Sequence, residues 1–516
     1  MTQAASLPDD VAALKRLLAS RDETIAQLLA EIARLKRWQY GRSSERMTEL
    51  MGQLQLALGD LPMADDVAEV TPEAYPPAAD VGDLGPLGTV LTLRRKPRDF
   101  PAHLPRETIV HAPACCGCPE CGGRMRKLGE DVSEMLDYVP GYFKVLRHVR
   151  PKLTCCQCAK VVQEAAPSRP IARGMAAAGL LAQVVVGKYA DHTPLYRQAG
   201  IYRRAGIELD RATLASWVRE ASSLLQPLAE AIGRYVRKAE KIHTDDTPVP
   251  VLEPGRGKTR TARLWTYVKD DRPAGSRAPP AVWYQYSPDR KSERPRVHLN
   301  GYSGILQADA YSGYDALYRD GTIIEAACWA HARRKFYDLF ELDRSPLAEE
   351  AITRISALYA IEREIRGQLP GVRQSVRLAR AQPLLNSLKH WLEQTHSQIS
   401  LKSGLAKAIR YSLTHWQALT RYCEDGRIEV DNNTAERSIR PLVLGRRNYL
   451  FAGSDGGGHS AAVIYSLIGT ARLNDVEPYA YLRAVFERIA DHPINRIDEL
   501  LPWRLMPIET AAQHVA

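Results

Sequence analysis

The cysteines constrain this chain more than any other feature. Seven of the nine lie between Cys115 and Cys158, and only Cys328 and Cys423 lie elsewhere. They contain two Cys-x2-Cys knuckles, Cys118-Pro-Glu-Cys121 and Cys155-Cys156-Gln-Cys158, with 33 residues between them. Each knuckle presents two thiolates on a tight turn, and four thiolates satisfy the tetrahedral preference of Zn²⁺. An odd cysteine count argues against a closed disulfide framework. The spacing predicts a zinc-binding domain over residues 106–170, with Cys118, Cys121, Cys155 and Cys158 as ligands. The runs YFKVLRHVR and PKLTC, which alternate like strands, would form the hairpin that joins the knuckles. A four-thiolate site leaves no open position, so its role is structural. Cys115-x2-Cys118 is a competing frame, and unrelated buried or redox-active thiols are the alternative to a metal. Arg124, Arg126, Lys127, Arg147 and Arg150 flank the knuckles, either as phosphate contacts or as a solvated basic face.

A length of 516 residues, 45% of them hydrophobic and 25% charged, implies several globular domains and excludes collagen-like, mucin-like or mostly disordered chains. No secretory pattern opens the sequence, and no apolar run approaches the ~18 residues that span a bilayer. The expectation is a cytoplasmic protein without a membrane partner, nucleoid-associated when bound to DNA. The net charge of +10 is unevenly spread: residues 47–93 hold eight acids and no Lys or Arg, which leaves +18 on the other 469. Residues 254–300 carry eleven Lys or Arg against four acids and read as a loop-rich segment suited to a DNA backbone.

Residues 1–46 read as a coiled-coil helix with a basic end. Val11, Leu18, Ile25 and Ile32 share one heptad position, and Leu14, Arg21, Leu28 and Leu35 the other, a pattern that favours a parallel dimer. A lone amphipathic helix is the alternative. Residues 47–105 form an acidic, Pro-rich linker. In residues 171–238 the phrase PLYRQAGIYRRAGIELDRATLASWV suggests a helix-turn-helix, with Asp210 as N-cap and Leu214, Trp217 and Val218 facing inward. Arg197, Arg203, Arg204, Arg211 and Arg219 would face DNA, although a generic helical hairpin has the same layout.

Three acids lie in different settings. Asp245 is in the strand-like IHTDDTPVPVL, Asp309 ends the apolar run GILQAD, and Glu436 follows Asn432 by one helical turn in DNNTAERSIRP. Further strand-like runs are RLWTYV, AVWYQY and TIIEAAC, with the short strand NYLFAG later and GSDGGGHSAA as the turn after it. Arg437, Arg440, Arg446 and Arg447 are candidate phosphate contacts, the alternative being pairs with Glu429, Asp431 and Glu436. Cys328-Trp-Ala-His331 has half of a metal-site spacing without a second half downstream and reads as structural.

In order, these segments resemble the insertion sequence 66 family of bacterial transposases, through HTDDTP, LQADAYSGY, CWAHARRKF, NNTAERSIRP and LFAGSDGGG across nearly the whole chain. The resemblance implies a multidomain α+β protein with a ribonuclease H-like core and an Asp-Asp-Glu site of Asp245, Asp309 and Glu436. Asp245 and Asp309 would lie on the first and fourth strands. The core would occupy 239–336 and 426–472, interrupted by a helical insertion at 337–425 and followed by a helical tail at 473–516. Where the family usually has Asp-Glu-Thr, this chain has Asp245-Asp246-Thr247, and strand alternation sends the two aspartates to opposite faces. Such acids hold two Mg²⁺ or Mn²⁺ ions for phosphoryl transfer. The implied activity is binding of an element's inverted-repeat ends, DNA cleavage and strand transfer into target DNA, by a dimer or larger assembly, with accessory proteins of the same element as possible partners. A catalytically silent DNA-binding regulator and a two-metal nuclease that cuts without joining are the alternatives.

Overall fold

In a computed structural model, the described residues are 100–505 apart from 113–117, 119, 122, 140, 173, 254 and 256. The heptad helix, the acidic stretch and Cys115 lie outside them.

The first sheet is a long hairpin. Strand β1 (Arg106–Val110) runs parallel to β3 (Tyr142–Cys155), which pairs antiparallel with β2 (Met125–Val139) and, at its end, with β4 (Val161–Gln163). YFKVLRHVR and PKLTC are one strand rather than two. Pro151 is tolerated inside it because it pairs with Glu130, next to a register shift between Lys127 and Gly129. The turn end of the hairpin is buried: Leu136, Phe143 and Val145 share a core with Leu180, Leu181 and Val184 of helix α1 (Ala178–Tyr189).

Helices α2 (Leu195–Arg204) and α3 (Arg211–Arg237) enclose a turn in which Gly206 takes φ +78°. Asp210 holds the N-cap position through its carbonyl, which accepts the Leu214 N–H at 3.1 Å. Leu214, Trp217 and Val218 are buried. Helix α3 is 27 residues long, and its second half, including Leu228, Ile232 and Val236, joins the core of the next sheet. Gly233 lets it lie against Trp283, whose ring would stand 2.6 Å from an added Cβ.

That second sheet comprises β5 (Lys241–Leu252), β6 (Thr259–Lys269), β7 (Ala281–Ser287), β8 (Gly304–Gln307) and β9 (Ile323–Ala326), in the order β7-β6-β5-β8-β9. The first three are antiparallel; β5, β8 and β9 are parallel. All five match strand-like runs of the sequence. Residues 254–300 are therefore mostly regular structure rather than loop, and many of their cations are already paired. Arg263 and Arg290 meet Asp246, Arg272 meets Asp270, Arg294 meets Asp289 and Arg260 meets Asp455.

The helical segment begins at Trp329, with α4 (Trp329–Asp343), α5 (Pro346–Glu364), α6 (Gln382–Gln398) and α7 (Gly404–Thr414). It has a second core around Trp329, Phe336, Ile355, Leu385, Leu392 and Ile409. Beside that core, buried Arg373 and Arg377 both pair with Glu362. The chain then returns to the sheet as α8 (Asn433–Asn448), α9 (Asp455–Leu473) and α10 (Pro478–Phe486). NYLFAG is no strand; only Ala452 bridges to Val251. GSDGGGHSAA is the start of α9 rather than a turn, capped by the Ser454 hydroxyl, which accepts the Gly457 N–H at 3.3 Å. Among the described residues, no helix is long and apolar enough to cross a membrane.

Candidate active site and cysteine cluster

The base of the hairpin pairs Met125 with Cys155, so closing the strands brings the two knuckles together. The sulfurs of Cys118, Cys121, Cys155 and Cys158 all lie within 4.8 Å of one another, with Cys118–Cys158 at 3.2 Å and Cys121–Cys155 at 3.5 Å. A tetrahedral zinc with ~2.3 Å bonds sets its sulfurs about 3.8 Å apart, close to this spacing. Backbone N–H groups of Cys158 and Gln157 hold the Cys155 thiol down to about 6, and those of Cys121 and Glu120 lower that of Cys118. Amides aimed at sulfur are what a thiolate site needs.

In the second sheet, Lys241 pairs with Ile305 and His243 with Gln307 across the parallel β5–β8 ladder. Asp245 lies on β5 two residues past the last rung of that ladder, and Asp309 follows the end of β8 by two residues, in a bend rather than on the fourth strand itself, where it acts electrostatically on the Asp245 carboxyl. Asp246 points elsewhere. Its side chain, 2% exposed, is held by Arg263 at 3.0 Å and Arg290 at 2.7 Å.

Glu436 is delivered from the other side of the insertion. Just before α8, the Gln307 amide donates to the Glu429 carbonyl (2.6 Å) and accepts the Glu429 N–H (3.2 Å), tying the returning chain to β8. Buried Asn432 then meets the His243 ring at 3.0 Å, donates to the Thr244 carbonyl at 2.8 Å, and donates its N–H to Cys328 Sγ at 3.1 Å. One turn on, Glu436 faces the aspartates.

The electrostatics reflect this convergence. Burial, then the facing Asp309 and the nearby Asp246 and Glu436, push the Asp245 carboxyl up to about 8 against a hydrogen bond from the Asp246 N–H. Glu436 Oε1 is buried without a hydrogen-bond partner. A buried carboxyl raised by its surroundings, near a glutamate with an unsatisfied oxygen, suits a hard divalent cation with oxygen ligands. Sequence reasoning missed two neighbours. Arg290 stacks on Tyr311 and reaches Asp309 at 4.0 Å. His331 Nε2 stands 3.8 Å from Glu436 Oε1, with Cys328 Sγ beside both. The signal was the Cys328-x2-His331 spacing, whose missing half is a glutamate rather than another Cys or His.

The arginines are distributed as follows. Arg197, Arg203, Arg204 and Arg211 are exposed on α2 and the start of α3. Arg437, Arg440 and Arg447 are exposed on α8, and Arg446 is partly buried against the Pro248 carbonyl. Arg437 donates to the Thr434 hydroxyl at 3.2 Å, while Glu429 is taken by Arg373 at 2.8 Å.

A hairpin that gathers four cysteines is thus joined to a mixed sheet that carries the candidate acids. The chain belongs to the IS66 family of transposases. The family model described as "Transposase IS66 family" matches residues 173–460, the zinc-finger binding domain of transposase IS66 matches 116–159, and the IS66 C-terminal element matches 466–503. A fourth model, "Transposase C of IS166 homeodomain", matches 27–109. Among relatives, "Uncharacterized protein y4hP" of Sinorhizobium fredii is 40% identical over 93% of this chain and 88% of its own length. "Uncharacterized protein y4jD" of the same organism is 39% identical over 96% of each. The Escherichia coli protein YuaK is 51% identical over 49 residues, 10% of this chain and 52% of its own length. The family's domains support a transposase role, with DNA as the implied partner, and the cysteine cluster with its matching zinc-finger model suggests structural zinc.

Proposed function

We propose that this protein binds the inverted-repeat ends of an insertion element and catalyses Mg²⁺- or Mn²⁺-dependent DNA cleavage and strand transfer, with Asp245, Asp309 and Glu436 as its catalytic acids. The observation that carries the reading is that Asp309 and Glu436, the latter 191 residues away in the chain, both act electrostatically on the buried Asp245 carboxyl, which burial first and then these acids push up to about 8. The strand order, three antiparallel strands continued by two parallel ones, supports a ribonuclease H-like core. Bound divalent cations supply charge stabilisation at the attacking and leaving oxygens of phosphoryl transfer. The chain's own part is placement. Gln307 and Asn432 fix the start of α8 against β5 and β8, which aims Glu436, and Arg263 and Arg290 draw Asp246 away so that Asp245 faces Asp309.

Arg437, Arg440, Arg446 and Arg447 continue along the helix that bears Glu436 and would carry DNA phosphates past the acids. Arg197, Arg203, Arg204 and Arg211 would hold the element ends at the helix-turn-helix. Cys118, Cys121, Cys155 and Cys158 would bind one structural Zn²⁺, and the heptads of residues 1–46 would pair two chains and so two ends. The test is incubation of the purified protein with labelled element ends, target plasmid and Mg²⁺. Joined product is expected; cut ends without joined product would indicate a nuclease, and bound but uncut ends a silent regulator.

A further inference from the structure

The Cys328-x2-His331 motif is not accounted for by three acids alone. Cys328 is fully buried at the N-cap of α4, and its sulfur accepts the Asn432 N–H at the N-cap of α8. This contact ties the starts of the two helices, so His331 in the first turn of α4 is held in fixed relation to Glu436 in the first turn of α8. His331 Nε2 and Glu436 Oε1 are 3.8 Å apart, too far for a hydrogen bond. Two donors bound to one ion at ~2.1 Å lie about 3.0 Å apart at a right angle and about 4.2 Å apart when opposed, and the observed spacing falls between. Glu436 Oε1, the atom that faces His331 Nε2, is buried without a hydrogen-bond partner, and unsatisfied buried polar atoms are rare in native proteins. Asp309 acts electrostatically on the same imidazole.

We infer that His331 is a fourth donor to the cation site, sharing an ion with Glu436 beside Asp309, and that Cys328 positions it. The inference rests on the reading of the acids as a cation site and deepens it by naming the metal. An imidazole nitrogen favours a transition-metal dication, whereas Mg²⁺ takes oxygen ligands, so the site should prefer Mn²⁺.

The experiment uses the full-length, zinc-loaded protein without DNA, with Mn²⁺ and Mg²⁺ as the probes. Mn²⁺ binding is read by electron paramagnetic resonance, with pulsed detection of ¹⁴N coupling, and Mg²⁺ binding by the shift in melting temperature. The expected result is ¹⁴N coupling in the wild type and its loss in His331→Ala. Mn²⁺ affinity should fall about tenfold or more, on the scale that altering a metal's surroundings produces, with Mg²⁺ affinity little changed. Cys328→Ser, which keeps a small polar group, should retain the coupling with weaker Mn²⁺ binding. Melting of each metal-free variant checks folding. If Mn²⁺ binding depends on Asp309 and Glu436 but His331→Ala keeps the ¹⁴N coupling and the affinity, the inference about His331 is overturned and the acidic site stands. If the wild type binds neither ion, both readings fail.

Discussion

Asp245 and Asp246 are adjacent, yet one joins the acidic cluster while the other is buried between two guanidinium groups. Their substitutions should therefore part. The folded metal-free protein holds the Asp245 proton more tightly than the unfolded chain does, since its ionisation moves from 3.8 to about 8. That contribution to stability is full below about pH 4 and is lost as the pH rises to about 8. Melting temperature without metal should accordingly fall between pH 5 and pH 8, and Asp245→Asn should flatten the fall and abolish stabilisation by Mn²⁺. At pH 8 the relief should amount to a few kcal/mol at most, because each tenfold change in proton affinity is worth ~1.4 kcal/mol and the residue keeps some contact with solvent. Asp246→Asn should instead destabilise by about 1–3 kcal/mol with or without metal, because it removes the charge that Arg263 and Arg290, both partly open to solvent, are paired with. Urea unfolding of both variants checks this, and equal losses in the two would contradict it. Alternation along a strand was enough to separate these two residues from sequence. His331 was not legible, because its partner is a glutamate 105 residues away that only the return of the chain through Asn432 brings near.

At the scale of elements, the strands of the second sheet could be read because short β-branched and aromatic runs stand between Gly, Pro and charged turns. Helix α9 could not, since it opens on glycines that have low helix propensity. Packing requires one of them, Gly458, and Gly469 further along: Cβ atoms added there would stand 2.2 Å from the Tyr286 ring and 2.7 Å from Val282. This close approach lets α9 close the edge of β7. Thr470 Oγ1 accepts the Val282 N–H at 3.1 Å and donates to its carbonyl at 3.0 Å, and Ser466 Oγ accepts the Tyr284 N–H at 2.9 Å. An open strand edge invites pairing with another chain. Thr470→Val removes both contacts at Val282 and should cost about 1–3 kcal/mol in urea unfolding, the penalty of stranding a buried polar group. A loss under about 0.5 kcal/mol would show that the edge is satisfied by other means.

Across the described residues the buried apolar side chains form two large hydrophobic cores. One joins the hairpin, α1 to α3, the second sheet, α9 and α10; the other belongs to the helical insertion. Composition shows where segments change but not which of their apolar faces meet. Because the hairpin is pinned at its turn end, where Leu136 exchanges backbone hydrogen bonds with Met175 and Ala177, loss of zinc should be felt at the knuckle end alone. In Cys118→Ser/Cys158→Ser, zinc content should fall, and hydrogen exchange should rise over 118–130 and 150–163 but not over 134–146. Faster exchange along the whole hairpin would contradict that division. Five of the eleven cations of residues 254–300 are taken up in ion pairs, so on the proposed reading the exposed arginines of α2, α3 and α8 are the main candidates for DNA contact. The central claim is that Asp245, Asp309 and Glu436 form one DNA-joining site. Its most direct measurement is strand transfer with labelled element ends and Mg²⁺, comparing the wild type with Asp309→Asn, with end binding followed in parallel. The account predicts retained end binding and no joined product for Asp309→Asn; joined product at the wild-type level would contradict it.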